Sequence, residues 1–371
     1  MHQINQRLNK ALAHRTDLDM LRSLKAPKKG IDFYSNDYLG LTHNNEFHTL
    51  LLEAINTDPS LLVGATGSRL ISGNSACTMQ TEAFIAAKHK AAAALLFPSG
   101  FMANLALFSS VPKRGDTLLM DEFIHRSVRD GARLSAAQGY RFRHNDLNHL
   151  EQLLKKSKGT TFIAIESLYS MEGDFADLET IVALAERYQS ALIVDEAHAF
   201  GVFGYGLVAH KDLQERVFAT VITYGKAMGL HGSAILGSHS LISYLVNFAA
   251  AFIYTTALND FHAVSLRKGY EFLAHYPELA QTLQQRILEF RTSGIPLLSA
   301  ANSPIQTLLV PSSTAARALQ MELEKQQLLT FAVVSPTVKA GTERLRICLH
   351  AFNTQAELDQ LTYALRNYLT T

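Results

Sequence analysis

Short apolar runs, each bounded by polar or turn-forming residues, alternate along much of the chain with longer segments whose apolar residues recur at helical spacing. Runs that are apolar at consecutive positions are typical of strands buried on both faces of a sheet. The pattern therefore predicts an α/β fold in which a mostly parallel central sheet carries helices on both faces. The strand-like runs are residues 91–97, 116–120, 161–167, 190–197, 218–224 and 233–238.

The segments between these runs are typical of crossover helices. Residues 146–158 and 177–189 each begin at an aspartate, a residue preferred at the start of a helix, and continue with apolar residues at helical spacing. After about residue 265 the pattern changes to charged helical segments beside a few strand-like runs, which predicts a smaller α+β domain. We therefore expect an N-terminal helix and arm (1–45), a large domain (46–265) and a small C-terminal domain (266–371).

Composition narrows the possible function classes. The chain has 371 residues, 47% of them hydrophobic, and a formal charge of +1, so its overall charge favours neither nucleic acid nor another polyanion as a partner. Its two cysteines, Cys77 and Cys348, lack metal-ligand spacing, and no metal site is expected. The charged N-terminus has no signal-peptide core, and the apolar stretch 241–254 is too short to span a bilayer. We therefore expect a cytoplasmic protein without a membrane segment.

One aspartate and one lysine follow two successive strand-like runs. Asp195 follows the apolar residues 190–194, and Lys226 comes 31 residues later, after the run 218–224. This distance is about one strand–helix–strand unit, so both side chains are expected at one edge of the sheet. Taken alone, such an aspartate is typical of a helix cap or a turn, and such a lysine of an exposed loop. Together they suit pyridoxal 5′-phosphate, whose aldehyde forms a Schiff base with a lysine and whose ring nitrogen pairs with an aspartate.

Three further segments supply groups for the rest of such a cofactor. The turn at residues 98–100 joins a strand to a helix, so the free N–H groups of Gly100 and Phe101 are expected to meet a phosphate. Thr223 adds a hydroxyl three residues before the lysine. His125 follows another strand run and is placed to lay its imidazole on the pyridine face, although a lone histidine is more often structural.

Eight motifs distributed along the chain carry a family resemblance. In chain order they are FYSNDYLGL (33–41), GATGSRLISGN (64–74), FPSGFMAN (97–104), DEFIHRS (121–127), ESLYSMEGD (166–174), VDEAHAFGVFG (194–204), TYGKAMGLHG (223–232) and IYTTAL (253–258). Together they resemble the α-oxoamine synthases, fold-type I enzymes that depend on pyridoxal 5′-phosphate. These enzymes condense an amino acid with an acyl-CoA thioester and release CO₂. The resemblance implies the same fold, cofactor and reaction class for this chain.

The resemblance also implies roles for individual positions. Lys226 would bind the cofactor aldehyde and later move the α-proton of the substrate, Asp195 would keep the ring nitrogen protonated, and His125 would stack on the ring. The other matching positions are His198 and Ser170 near the phenolic oxygen; Gly100, Phe101 and Thr223 at the phosphate; Thr255 or Thr256 from the second subunit of a homodimer; Asn36 and Arg346 at the substrate carboxylate; and Arg22 at the acyl substrate.

The substrate pair stays open at this point. The resemblance is greatest to the members that act in biotin biosynthesis, which join L-alanine to pimeloyl-CoA or to pimeloyl-carrier protein. The alternatives within the family join glycine to acetyl-CoA or succinyl-CoA, join serine to palmitoyl-CoA, or form autoinducers. The alternatives outside it are a protein that binds the cofactor without turnover and a structural protein without a cofactor. The intact Lys226, Asp195, His125 and Arg346 argue against loss of activity.

Overall fold

The computed structural model describes residues 1–18, 20–24, 26 and 28–370 of the chain. Within these residues lie twelve strands: β1 Ile31–Asp32, β2 Ala93–Phe97, β3 Thr117–Asp121, β4 Gln138–Phe142, β5 Thr161–Glu166, β6 Ala191–Asp195, β7 Ala219–Thr223, β8 Ser233–Gly237, β9 Ile305–Leu309, β10 Leu328–Leu329, β11 Phe331–Val333 and β12 Arg344–Cys348. The same residues form fourteen α-helices: α1 His2–Asp17, α2 Asn45–Thr57, α3 Ala76–Lys88, α4 Gly100–Ser110, α5 Arg126–Leu134, α6 Leu147–Leu154, α7 Leu178–Arg187, α8 Leu207–His210, α9 His239–Phe248, α10 Ala250–Ile253, α11 Asp260–His275, α12 Glu278–Arg291, α13 Ser313–Lys325 and α14 Gln355–Thr370.

The largest sheet has seven strands in the order β2-β8-β7-β6-β5-β3-β4. Among its described strands, only β8 runs antiparallel to its neighbours, so the predicted mostly parallel sheet is confirmed. Each apolar run in the sequence overlaps one of the strands. The strand β4 was not predicted, because it lies at the sheet edge and the side chains of residues 138–141 are exposed. An exposed edge strand has no apolar run to reveal it.

Helices cover both faces of this sheet, as the sequence pattern predicted. On one face, Phe108 of α4, Val128 of α5 and Phe252 of α10 share a core with strand residues. On the other face, Leu150 of α6 and Ile181 of α7 do the same. Because both faces are buried, polar side chains concentrate at the strand ends, which is where α/β folds place their ligands.

The last third of the chain forms a smaller α+β unit, as predicted. The strands β11, β12 and β9 form an antiparallel sheet in that order. The N-terminal arm joins this unit because β1 pairs in parallel with β10. The predicted boundary after residue 265 falls inside α11, and the boundary after residue 45 falls at the start of α2. The division into three parts therefore stays a prediction.

The apolar stretch 241–254 forms two helices, α9 and α10, which meet at Ala249. Leu241 and Phe252 are buried against the sheet, whereas Phe248 and Tyr254 are exposed. In the part of the chain that the structure describes, no helix is both long and apolar enough to cross a bilayer.

The change Gly131→Ala tests the close packing of α5 on α4, the two helices that begin at the predicted phosphate and ring contacts. A Cβ at position 131 would lie 2.8 Å from the Cβ of Phe108 and 3.2 Å from the carbonyl oxygen of Asn104, so one helix must move. We expect a loss of about 1–3 kcal/mol in the free energy of unfolding, measured by urea denaturation. Gly64→Ala is the control, since nothing lies within 4 Å of its Cβ. Equal effects of the two changes would contradict the packing argument.

Candidate active site

The carboxyl ends of the central strands open into a cavity of about 300 Å³. Its wall brings together seven residues that the sequence predicted for one site: Gly100, Phe101, His125, Asp195, His198, Thr223 and Lys226. These residues follow or end β2, β3, β6 and β7, four strands that all run in the same direction. Folding therefore makes neighbours of residues that lie up to 126 positions apart in the sequence.

Asp195 and Lys226 reach the same edge of the sheet because β6 and β7 are neighbouring parallel strands. Asp195 is the last residue of β6 and is paired in register with Val221 of β7. Lys226 lies three residues beyond Thr223, where β7 ends. Parallel strands direct their carboxyl ends to one edge, so the spacing of one strand–helix–strand unit becomes proximity in space.

The amine of Lys226 has both its neutral and its charged form available near neutral pH. Burial disfavours the ammonium ion and lowers the pKa of Lys226 to about 8. The negative charge of Asp195 opposes this shift, and the positive charge of Arg346 reinforces it. At pH 8 the Lys226 side chain is therefore the uncharged amine in about half of the molecules. This is the form that attacks a carbonyl carbon.

A hydrogen-bond network holds Asp195 and His125 in fixed orientations. Asn104 on α4 donates from Nδ2 to Oδ2 of Asp195 at 2.7 Å and to Oγ of Ser127 at 3.0 Å. The backbone N–H of Ala197 donates to Oδ1 of Asp195 at 2.9 Å. Oγ of Ser127 lies 2.7 Å from Nδ1 of His125. Burial lowers the pKa of His125, which favours the neutral ring.

A second buried carboxyl group, Glu166, lies beside Asp195 in the cavity wall. The two residues are paired in register on β5 and β6, and Glu166 is 3% exposed. Its Oε2 accepts a hydrogen bond from the N–H of Ser170 at 3.3 Å, whereas Oε1 has no partner among the described residues. Burial, reinforced by the negative charge of Asp195, raises the pKa of Glu166 well above its usual value. The environment therefore favours a neutral acid at Glu166.

The turn after β2 is suited to bind an anion. Oγ of Ser99 accepts a hydrogen bond from the N–H of Met102 at 3.3 Å and so caps α4. Gly100 and Phe101 line the cavity at the start of this helix, where N–H groups have no partner within the helix. A Cβ at position 100 would lie 2.5 Å from Cγ2 of Thr223, so only glycine leaves this space open. Such N–H groups and the helix dipole favour a phosphate.

Arg346 and Asn36 form a buried cluster connected to the cavity. Arg346 on β12 donates from Nη2 to Oδ1 of Asn36 at 2.9 Å and from Nε to the carbonyl oxygen of Ser170 at 2.7 Å. Oδ1 of Asn36 also accepts from the hydroxyl of Tyr38 at 3.2 Å. The same hydroxyl lies 2.7 Å from Nδ1 of His198, in the cavity wall. These hydrogen bonds join the predicted carboxylate site to the predicted cofactor site.

Three predicted residues lie elsewhere. Thr255 and Thr256 line a separate cavity together with Arg69 and Thr78. Arg22 is exposed in the N-terminal arm. One chain by itself therefore does not bring these three side chains to the cavity that contains the lysine.

Glu166, Asn104 and Tyr38 belong to the site but were not predicted, although the first two had a signal in the sequence. Glu166 ends a predicted strand, as Asp195 does, and so belongs to the same sheet edge. Asn104 lies four residues after Gly100 and therefore on the same side of α4. Tyr38 had no local signal, because its contact with His198 joins positions 160 residues apart.

Comparison with known proteins identifies the family. The family model for aminotransferase class I and II matches residues 28–365. An 8-amino-7-oxononanoate synthase from Emericella nidulans is 37% identical to this chain, over 98% of this chain and 95% of its own length. The chain belongs to the α-oxoamine synthase family.

Solved structures show that this α-oxoamine synthase has the predicted fold type I. An 8-amino-7-oxononanoate synthase from Francisella tularensis superposes with a TM-score of 0.79 at 27% identity, over 92% of this chain and 98% of that one. A serine palmitoyltransferase from Sphingomonas wittichii superposes with a TM-score of 0.86 at 24% identity, over 97% and 96% of the two chains. The second likeness concerns the fold alone.

The α-oxoamine synthases use pyridoxal 5′-phosphate, as predicted here, and the cavity of this chain fits that cofactor. Lys226 offers an amine for its aldehyde, Asp195 a carboxylate for its ring nitrogen, and the start of α4 free N–H groups for its phosphate. Oδ1 of Asn104 and Oε1 of Glu166 are buried in the cavity wall without a partner among the described residues. These two oxygens can therefore form hydrogen bonds with a bound group.

The reactivity of the Lys226 amine should depend on pH in a way that ordinary lysines do not. Because only the neutral amine is a nucleophile, we expect the rate of covalent cofactor attachment to cofactor-free protein to rise with pH around a midpoint near 8. The rate is measured by borohydride reduction at successive times and mass spectrometry of the peptide that contains Lys226. Lys226→Ala is the control that must show no label in this peptide. A midpoint at the ordinary lysine value of 10.5 would contradict a desolvated amine.

The change Glu166→Gln tests whether this carboxyl group is neutral in the folded protein. A buried carboxyl group with a raised pKa destabilises the folded protein increasingly as the pH rises from 4.5, the ordinary pKa of glutamate, towards the raised pKa. Glutamine imitates the protonated acid and therefore removes this destabilisation. We expect the melting temperature of the variant, relative to the unaltered protein, to increase as the pH rises above the ordinary glutamate pKa of 4.5. Calorimetry of the cofactor-free proteins measures this difference.

A matched control for this experiment is Glu186→Gln. Glu186 is exposed, and a hydrogen bond from Arg216 lowers its pKa, so neutralising it should bring no such gain. If the difference in melting temperature for Glu166→Gln stays constant or falls with rising pH, the carboxyl group of Glu166 is charged in the folded protein.

Proposed function

We propose that this chain catalyses the decarboxylative condensation of L-alanine with a pimeloyl thioester in biotin biosynthesis, in the cytoplasm. The products are 8-amino-7-oxononanoate, CO₂ and the thiol of CoA or of a carrier protein. One finding carries the proposal: two relatives named 8-amino-7-oxononanoate synthase are 37% and 40% identical over 98% and 89% of the chain. The cavity supports it with a lysine, an aspartate and a histidine in one wall.

The proposed reaction makes and breaks bonds at one carbon of alanine. Cα loses a proton and forms a bond to the thioester carbonyl carbon, whose C–S bond breaks so that the thiol leaves with one proton. The bond between Cα and its carboxylate then breaks, CO₂ leaves, and Cα takes up one proton. Pyridoxal 5′-phosphate, when bound, stores the electron pair left by each bond cleavage at Cα.

Lys226 is the proposed proton carrier at Cα. Its Nζ takes the α-proton of alanine and returns a proton to the same carbon after CO₂ has left. A base is most effective when its pKa lies near the working pH, and the pKa of Lys226 is lowered to about 8. Burial in the cavity, which causes this shift, also keeps water from competing for the proton.

His125 and His198 are proposed to hold the cofactor ring as neutral groups. Burial lowers the pKa of both imidazoles, and the charge of Lys226 lowers them further. A neutral His125 stacks on the ring without adding a positive charge to it. The hydroxyl of Tyr38, 2.7 Å from Nδ1 of His198, fixes the orientation of this ring, and the other ring nitrogen is proposed to meet the phenolic oxygen of the cofactor.

Arg346 is the proposed partner of the alanine carboxylate, with Asn36 beside it. The guanidinium group is 5% exposed and uses three N–H groups on Asn36, on Ser170 and on Sγ of Cys348, which lies 2.9 Å from Nη1. A guanidinium group has five N–H donors, so two remain for a carboxylate. Arg22 is proposed to meet the acyl substrate from the N-terminal arm.

The proposal includes a homodimer with active sites at its interface. Thr255 and Thr256 line a cavity apart from Lys226 within one chain. Their hydroxyl groups would therefore reach a cofactor phosphate from a second copy. Ser170, Gly100, Phe101 and Thr223 would complete the contacts to the cofactor within one copy.

The decisive experiment titrates the purified holoenzyme with L-alanine, glycine and L-serine and follows the absorption spectrum of the cofactor. Pimeloyl-CoA is then added, and free thiol and CO₂ are measured. We expect alanine to change the spectrum at the lowest concentration, and thiol and CO₂ to appear in equal amounts. Lys226→Ala should abolish both products because it removes the proposed base.

The outcomes separate the alternatives. Turnover of glycine with acetyl-CoA or succinyl-CoA, or of serine with palmitoyl-CoA, would replace the proposed substrate pair. Spectral changes without thiol release from any of these thioesters would identify a protein that binds the cofactor without turnover.

A further inference from the structure

An arginine-rich surface lies next to the cavity, although the chain as a whole is nearly neutral. Residues 126–143 contain five arginines and one aspartate, whereas the net charge of the whole chain is +1. Four of these arginines form a surface that we call the arginine face: Arg126, Arg129 and Arg133 on α5, and Arg141 on β4. The proposed reaction uses none of them.

Helix α5 presents three arginines along one side. Arg126, Arg129 and Arg133 follow the spacing i, i+3, i+7, which places them on one side of a helix. The opposite side is buried through Val128 and Gly131, against α4. The side chains of Arg126 and Arg133 are 57% and 70% exposed. The helix therefore turns its charged side to solvent.

Arg141 joins the same surface from the edge strand of the sheet. Side chains alternate between the two faces of a strand, and its neighbour Phe142 is buried on the face that carries α6 and α7. Arg141 therefore points to the face that carries α5. Burial lowers the pKa of Arg129, and the charges of Arg126, Arg141 and Arg133 lower it further, in keeping with four neighbouring guanidinium groups.

The arginine face is only partly neutralised. Asp130 accepts from Arg126 at 2.7 Å and lies 3.6 Å from Arg133. Nε of Arg129 is buried without a hydrogen-bond partner among the described residues. Four guanidinium groups against one carboxylate leave a net charge of +3 on this surface, which attracts an acidic partner.

The arginine face begins at the rim of the cavity. His125 lines the cavity and immediately precedes Arg126, and α5 continues for nine residues, about 13 Å. Phe123, before the helix, and Leu134, at its end, are 43% and 69% exposed. Arginines beside exposed aromatic and aliphatic side chains are typical of protein interfaces. Both the composition and the extent of the surface therefore suit a protein better than a small anion.

We propose that the arginine face is the docking surface for an acidic protein that carries the acyl group as a thioester. The inference rests on the proposed function and specifies its acyl donor. A carrier protein is too large to enter a cavity of about 300 Å³, so it must bind at the rim and direct its acyl group inward. Carboxylates on the carrier would meet the arginines there, which speeds association and sets the orientation of the carrier.

The test compares two acyl donors on the holoenzyme: pimeloyl thioester on a purified acyl carrier protein, and pimeloyl-CoA. For the double variant Arg133→Glu with Arg141→Glu, we expect kcat/KM with the carrier-linked donor to fall at least about tenfold, because the attraction becomes repulsion. The value for pimeloyl-CoA should fall less than the value for the carrier-linked donor, because CoA brings only its phosphate groups to the rim whereas a carrier protein brings a whole acidic surface. Added salt should lower the carrier-dependent rate of the unaltered enzyme.

Arg187→Glu is the matched control. Arg187 is also an exposed helical arginine, 64% exposed, but it lies on α7 at the opposite face of the sheet. This change should leave kcat/KM unaltered for both donors. A loss as large as that of the double variant would show that overall charge, and not the arginine face, attracts the carrier.

The remaining outcomes distinguish the docking surface from the proposed function. Equal losses with both donors, or no loss with either, would overturn the docking surface while leaving the proposed function intact. A change from dimer to monomer in light scattering would assign the surface to a second copy of this chain.

If the unaltered enzyme releases no thiol from either donor, the proposed function fails. Surface plasmon resonance with the unacylated carrier protein then still tests docking, and equal binding by the unaltered enzyme and the double variant would overturn it.

Discussion

The parallel pairing of β6 with β7 is the constraint on which the site depends. It brings the end of β6, with Asp195, and the loop after β7, with Lys226, to one edge of the sheet. The strand β5 extends the same edge with Glu166, which is paired in register with Asp195. Because both faces of the sheet are covered by helices, the strand ends are where charged groups meet a cavity. The positions of Glu166, Asp195 and Lys226 therefore follow from one pattern of backbone hydrogen bonds.

Burial then decides the charge of each group in the cavity. It lowers the pKa of Lys226 and of both histidines and raises that of Glu166, so it favours the neutral form of all four groups. Asp195 has two hydrogen-bond donors on its carboxyl oxygens, Nδ2 of Asn104 and the N–H of Ala197. A carboxyl group held in this way, among groups kept neutral, suits a cofactor ring that must hold a proton on its nitrogen.

The surface beside the cavity follows a different rule from the cavity wall. In the wall, desolvation suppresses charge, whereas on α5 and β4 the arginines remain in contact with water and keep theirs. Balanced totals of acidic and basic residues argued against a polyanion-binding surface, yet the helical spacing of three arginines and the edge position of Arg141 concentrate positive charge in one place. The cavity and the arginine face meet at His125 and Arg126, which are adjacent in the chain.

The local pattern of the sequence determined the buried strands, the starts of helices and the residues at strand ends, because these features depend on neighbouring positions in the chain. Apolar runs gave the buried strands, an aspartate marked the start of α6 and of α7, and strand-end positions singled out Asp195 and Lys226. The exposed edge strand β4 was not predicted, because it forms through pairing with β3 and has no apolar run in its sequence. The family resemblance had already grouped Asn36 with Arg346 and assigned Thr255 or Thr256 to a second subunit. Only the tertiary structure showed that Tyr38 contacts His198 and that Nη2 of Arg346 donates to Oδ1 of Asn36. Those contacts span many residues and depend on how whole layers pack, which no local period of the sequence encodes.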